Sequence, residues 1–107
     1  MLIRAWRGVA AVAEAQAYPR HLLQSVRPQL ERLAGFRGLY LLRRRDGDEM
    51  EFLVLTLWDS MDAVRAFAGE HPEVAVVESE ARAALLRFDE RVTHYEVVAG
   101  PGEAGGC

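Results

Sequence analysis

The sequence contains no lysine and no asparagine, and its only cysteine is Cys107, the last of 107 residues. A single thiol closes no intramolecular disulfide and builds no cysteine-ligated metal site. All thirteen basic residues are arginine, which together with abundant Ala, Gly, Val and Leu points to a GC-rich bacterial genome. Positive charge is never concentrated. The longest basic run, Arg43-Arg44-Arg45, is followed at once by Asp46, Asp48 and Glu49, and the formal net charge is −3. Tracking a phosphate backbone needs a basic face, so nucleic acid is not an expected partner. No apolar run approaches the ~20 residues that span a bilayer. Met1-Leu2-Ile3-Arg4-Ala5-Trp6 shows neither the basic nor the apolar region of a signal peptide. A cytoplasmic protein with no membrane partner is expected. P-loops, dinucleotide fingerprints and a Ser-His-Asp order are also missing, which sets aside NTPase, dinucleotide-dependent and hydrolase chemistry. The three histidines, His21, His71 and His94, lack close ligand spacing, so no metal site is expected.

What is present describes one folded domain. Half of the residues are hydrophobic and 27% are charged, enough for a core and too balanced for disorder. Residues 2–9 read as a strand. Residues 11–34 read as helix, with Ala15, Leu22, Val26, Leu30 and Leu33 on one stripe at period 3.6. Pro19 and Pro28 should each start or kink a helical piece, and Gly35 is a natural stop. Residues 36–43 and 50–58 read as strands joined through Asp46-Gly47, a hairpin signal. A short helix is expected over 60–69, capped by Ser60 or Asp59. Pro72 is expected to open a further helical stretch that continues over 78–88, and 91–98 reads as the last strand. From 100 to 107 the Gly-rich sequence reads as a flexible tail outside a domain of residues 1–99.

The order β-α-β-β-α-β is that of the ferredoxin-like, split βαβ fold: an α+β domain with an antiparallel sheet and helices on one face. Both faces of the strands are apolar. Phe52, Val54 and Trp58 oppose Leu53, Leu55 and Leu57; Phe36 and Tyr40 oppose Leu39 and Leu41. Strands of that kind need cover on both sides, and one chain of this length supplies helices for one. A second copy related by a two-fold axis is the expected cover, making the protein a homodimer.

The stretch Glu51-Phe52-Leu53-Val54-Leu55-Thr56-Leu57-Trp58-Asp59-Ser60, then Ala66-Phe67-Ala68, resembles the antibiotic biosynthesis monooxygenase family. So does the closing Phe88-Asp89-Glu90-Arg91-Val92-Thr93-His94-Tyr95-Glu96-Val97, and Pro28 with Gly35-Phe36-Arg37-Gly38 fits the same pattern. The resemblance covers residues 2–98 and implies a dimeric α+β barrel. Members of that superfamily include cofactor-free oxygenases, haem degraders, isomerases and haem-binding enzymes. Haem-degrading relatives use an Asn, a Trp and a His. This chain has no Asn, Phe67 stands at the Trp position, and the His position falls near Val77. Quinone-forming relatives rely on an Asn–Trp pair, of which only the Trp, Trp58, has a counterpart.

The candidate site follows from strand adjacency. His94 and Glu96 share a face of the last strand, which in this fold lies beside the first, so Arg4 and Trp6 should face them. In a site of that composition His94 is the candidate catalytic residue, moving a proton near neutral pH. Arg4 would hold an anionic oxygen, and Trp6, Tyr18 and Trp58 would wall a substrate. The competing reading is an Arg4–Glu96 cross-strand pair with His94 at a dimer seam. His21 lies off the helical stripe and is expected to face solvent or a strand edge, with lining the pocket as the alternative. His71 before Pro72 reads as a turn residue. Trp58 fits core packing as well as a substrate wall. The functional expectation is a small cofactor-independent enzyme acting on a small apolar or aromatic metabolite, by oxygen insertion or proton transfer. The alternatives are a non-catalytic binding dimer of the same fold, and a haem binder using His94 or His21 as axial ligand.

Overall fold

The computed structural model describes residues 1–101; the expected tail, from residue 102 on, and Cys107 lie outside the described residues. Strands β1 (Leu2–Ala11), β2 (Phe36–Asp46) and β3 (Glu49–Trp58) form the body of an antiparallel sheet in the order β2-β3-β1. Two short strands, β4 (Arg87–Phe88) and β5 (Thr93–Glu96), both pair with the free edge of β1. The expected last strand thus arrives in two pieces. A loop over 89–92 bows away between them, and the expected helix over 78–88 stops at Ala84, because Leu85 turns extended to feed β4.

One face of this sheet is covered by α1 (Ala17–His21), α2 (Arg27–Glu31), α3 (Met61–Ala68) and α4 (Ser79–Ala84). Between α1 and α2 the chain widens into a π-helical turn, Leu22–Val26, in which the Arg27 amide donates to the Leu22 carbonyl. Pro28 explains the widening: it offers no amide, and its ring would strike the Gln24 carbonyl in a regular α-helix. Ser60 rather than Asp59 caps α3, its hydroxyl accepting from the Ala63 amide at 3.2 Å.

Alternation in β3 places Phe52, Val54, Thr56 and Trp58 in the core, each less than 9% exposed. In β2 the alternation breaks. A bulge between Phe36 and Gly38, with Gly38 at φ +138°, inserts an extra residue. Phe36 therefore packs beside Leu39 on the Trp58 cluster instead of sharing a face with Tyr40, as simple period-two counting had it. Gly35, at φ +86°, makes the turn into β2 so close to α3 that a Cβ there would sit 2.5 Å from that of Ala63.

The segment 70–78 is not the helix that Pro72 suggested. It makes a turn at Pro72-Glu73, closed by the Val74 amide on the His71 carbonyl, and then runs as a strap across the helical side, because its backbone is claimed elsewhere. Val74 bridges Arg91, the Ala75 amide donates to Glu90 and the Val92 amide to Glu73. The opposite sheet face carries Ile3, Val9, Leu53, Leu55 and Leu57 half-buried and Tyr40, Leu42 and Tyr95 exposed. Among the described residues no helix is long and apolar enough to cross a membrane.

Candidate functional site

Between the sheet and its helical cover lies a cavity of about 270 Å³. Arg4 and Trp6 of β1 with Val54 and Thr56 of β3 make its floor, Tyr18, His21, Leu22 and Leu30 its helical wall, and Phe67, Val76, Val77 and Glu78 help to close it. Four of the six residues singled out from the sequence, Arg4, Trp6, Tyr18 and His21, line this space. Trp58 and His94 do not.

Arg4 is 5% exposed. Its guanidinium donates to the carbonyls of Pro72 and, at 3.0 Å, of Val74, which ties the strap to the floor. It also lies over the Phe67 ring, 5.8 Å from the centroid. The cross-strand neighbour of Arg4 is His94, not Glu96: Glu96 pairs in register with Leu2. Among the described residues no carboxylate lies within ion-pair distance of Arg4. Burial lowers its pKa to about 10, which leaves it a cation at neutral pH. A buried charge without a counter-charge is costly, and an anionic ligand atom would relieve that cost.

His94 stands behind Arg4, with Nε2 3.2 Å from Nη1. A guanidinium only donates, so Nε2 accepts and Nδ1 carries the proton. Desolvation and then the adjacent Arg4 charge hold His94 below the usual imidazole range. The sign of the resulting linkage is fixed. Above the unfolded-state value both states are neutral. As the pH falls below it, the unfolded chain takes the proton first and the fold loses stability. Melting temperatures measured between about pH 7 and pH 5 should fall more steeply in the native protein than in His94→Gln. Equal slopes would show that His94 is not desolvated against Arg4.

Trp6 donates from its indole to the Asp89 carbonyl at 2.7 Å, and its ring lies 5.6 Å from that of Tyr18. Tyr18 is buried, and desolvation raises its pKa, so its phenol stays neutral and able to donate. His71 is exposed beside Glu73. Trp58 is fully buried in a separate aromatic group with Phe36 and Phe67.

His21 differs most from its expected place. It is 8% exposed, wedged between α1 and α4, with Nδ1 3.2 Å from Glu80 Oε2 and Nε2 3.2 Å from Glu78 Oε1. The Nδ1 contact is an aligned hydrogen bond; Nε2 is buried without one. Glu78 and Glu80 are the site residues that sequence reasoning missed. The acidic run Glu78-Ser79-Glu80 at a helix start was visible, but its pairing with a histidine 59 positions away was not.

The sequence model for antibiotic biosynthesis monooxygenases matches residues 9–79. No curated protein matches the sequence. Among solved structures, ActVA-Orf6 from Streptomyces coelicolor, a monooxygenase crystallised with nanaomycin D, is similar at TM-score 0.63 and 14% identity, covering 96% of this chain and 92% of that one. SnoaB, a cofactor-independent oxygenase from Streptomyces nogalater, gives 0.59 and 20%, covering 95% and 96%. The haem degrader MhuD from Mycobacterium tuberculosis, with two haems bound, gives 0.60 and 22%, covering 95% and 100%.

Proposed function

Because the chain belongs to the antibiotic biosynthesis monooxygenase family, we propose that it is a cofactor-independent enzyme that abstracts a proton from a small aromatic ketone or phenol in the floor cavity. Oxygen insertion follows where the ring methylene is activated. The observation that carries this reading is Arg4: a buried cation with no carboxylate partner among the described residues, on the floor of a cavity walled by Trp6, Tyr18 and Phe67. Removing a proton next to a carbonyl leaves an enolate, and a fixed cation at its oxygen stabilises the transition state more than the neutral ketone. The electrons for oxygen insertion come from the substrate: a methylene plus dioxygen gives a carbonyl and water. His94, with Nε2 engaged by Arg4, acts in this reading as a positioning residue for the guanidinium. Trp6 and Tyr18 flank the ring.

A haem does not suit this cavity. At about 270 Å³ it lies just under the roughly 300–1,000 Å³ of pockets for drug-sized ligands, too little for a tetrapyrrole. His94, one of the two histidines considered as axial ligand, does not line it.

β-Tetralone, an enolisable bicyclic ketone, tests the reading. It should quench tryptophan fluorescence through Trp6, exchange its α-protons in deuterium oxide faster with protein than without, and draw oxygen in air. Binding with neither exchange nor oxygen uptake would assign the chain the rival role of a non-catalytic ligand-binding dimer. No binding would end both readings.

The working unit is proposed to be a cytoplasmic homodimer. Its support is the sheet face on which Leu53, Leu55, Leu57, Tyr40 and Leu42 lie without helical cover. An obligate interface of about 2,000 Å² or more should survive micromolar dilution. Sedimentation should give a dimer for the native chain and a monomer for Leu55→Asp; a native monomer would refute the pairing.

A further inference from the structure

We propose that His21 is the general base of this cavity: its Nε2 takes the substrate proton, and Glu80 fixes the ring for that purpose. The inference rests on the reading of the cavity as a proton-abstraction site and adds the group that does the abstracting. His94 cannot readily serve, since it does not line the cavity and its Nε2 lone pair faces Arg4.

The geometry around His21 is that of an oriented imidazole. Glu80 is a carboxylate and only accepts, so its aligned contact at 3.2 Å places the ring proton on Nδ1. In the neutral ring the lone pair is then on Nε2, on a residue that lines the cavity. Nε2 is buried and has no aligned hydrogen-bond partner among the described residues. A buried polar atom of this kind marks a place where another group belongs. Glu78 Oε1 lies 3.2 Å from Nε2 off the hydrogen-bonding direction, on a side chain 45% exposed. Its presence favours the reaction's product state. Beside a neutral ring a second carboxylate gains nothing, whereas beside an imidazolium both Glu78 and Glu80 become ion-pair partners.

The step balances without a further reagent. The C–H bond next to the carbonyl breaks and its proton goes to His21 Nε2. The electron pair moves into the ring system and onto the carbonyl oxygen. One cavity then holds two new ion pairs, enolate with Arg4 and imidazolium with the two glutamates.

The test is α-proton exchange of β-tetralone in deuterium oxide, with affinity read separately from tryptophan quenching. His21→Gln keeps a polar side chain of similar reach that cannot take a proton. It should bind the ketone as the native protein does and lose exchange by about 100-fold or more. His21→Ala should lose exchange likewise and recover part of it when free imidazole is added, which a merely structural role would not allow. If His21 variants fail to fold, Glu80→Gln decides: it keeps the base, removes the carboxylate charge that holds the imidazolium and should slow exchange by about tenfold or more. Native-rate exchange in His21→Gln or in Glu80→Gln would overturn the assignment while leaving the wider reading intact. So would a loss in His21→Ala that imidazole does not restore. Absence of exchange in the native protein would instead remove the wider reading itself.

Discussion

Trp58→Ala should destabilise the fold by about 3–5 kcal/mol, the range for truncating a fully buried large aromatic. Trp58 is 0% exposed. Its ring meets Phe36 edge-on at 5.2 Å and stacks on Phe67 at 5.8 Å, beside Leu30 and Val64. Its indole donates to Thr56 Oγ1 at 2.9 Å, and that hydroxyl faces the Arg4 carbonyl at 3.4 Å. Truncation thus leaves a cavity and strips a buried hydroxyl of its donor, two costs that add. For a chain of this length the melting temperature should drop by at least about 12 °C. Trp58→Phe should cost less, since it keeps a ring between Phe36 and Phe67. Its affinity for β-tetralone should match the native value, because Trp58 does not line the cavity. A selective loss of affinity in Trp58→Phe, with stability largely kept, would instead make this ring a substrate wall.

The parts of the molecule set by local chemistry could be read from the sequence. Strand alternation in β3, the Asp-Gly hairpin and the Ser60 cap each depend on residues within a few positions of one another. The pairing of the first and last strands followed from element order, and with it the facing of Arg4 and His94. The misreadings share a cause: a distant partner overrode a local preference. Pro72 suggested a helix start, but its carbonyl is taken by Arg4, 68 residues away, and the chain makes a single turn and a strap instead of a helix. Phe36 appeared to alternate with Leu39 until the bulge at Gly38 put both on one face. His21 lay off the apolar stripe, which suggests solvent, yet α4 packs over it and supplies two carboxylates. His94 was legible as a neighbour of Arg4 but not as lying behind it, because register fixes which residues face each other and not which reaches the cavity. Element order supplied the fold, and the resemblance to the monooxygenase family agreed with it; the site's polarity comes from Arg4, His21, Glu78 and Glu80 in this chain.

Arg4→Met should abolish the cavity's preference for anions, and p-nitrophenol makes the loss visible because its phenolate absorbs where the phenol does not. In the native protein the bound probe should be more ionised than free probe at the same pH. Its oxygen can meet a guanidinium that, among the described residues, no carboxylate pairs with, in a cavity whose other walls are largely apolar. Removing one partner of a buried, hydrogen-bonded charge pair costs about 2–5 kcal/mol, or roughly 30- to 5,000-fold in affinity for the phenolate. Met approximates the length and the apolar stem of Arg, so contact with Phe67 is largely kept while the charge is lost. In Arg4→Met the bound probe should therefore shift to the neutral phenol, reversing the sign of the spectral change. Stability must be measured alongside, because the substitution also frees the Pro72 and Val74 carbonyls and loosens the strap. Arg4→Lys separates the two effects. It keeps a positive charge but not a fork that reaches two carbonyls, so the strap should loosen while the probe stays ionised. If the bound probe is as ionised in Arg4→Met as in the native protein, the anion is held elsewhere, and Arg4 serves only to fasten the strap.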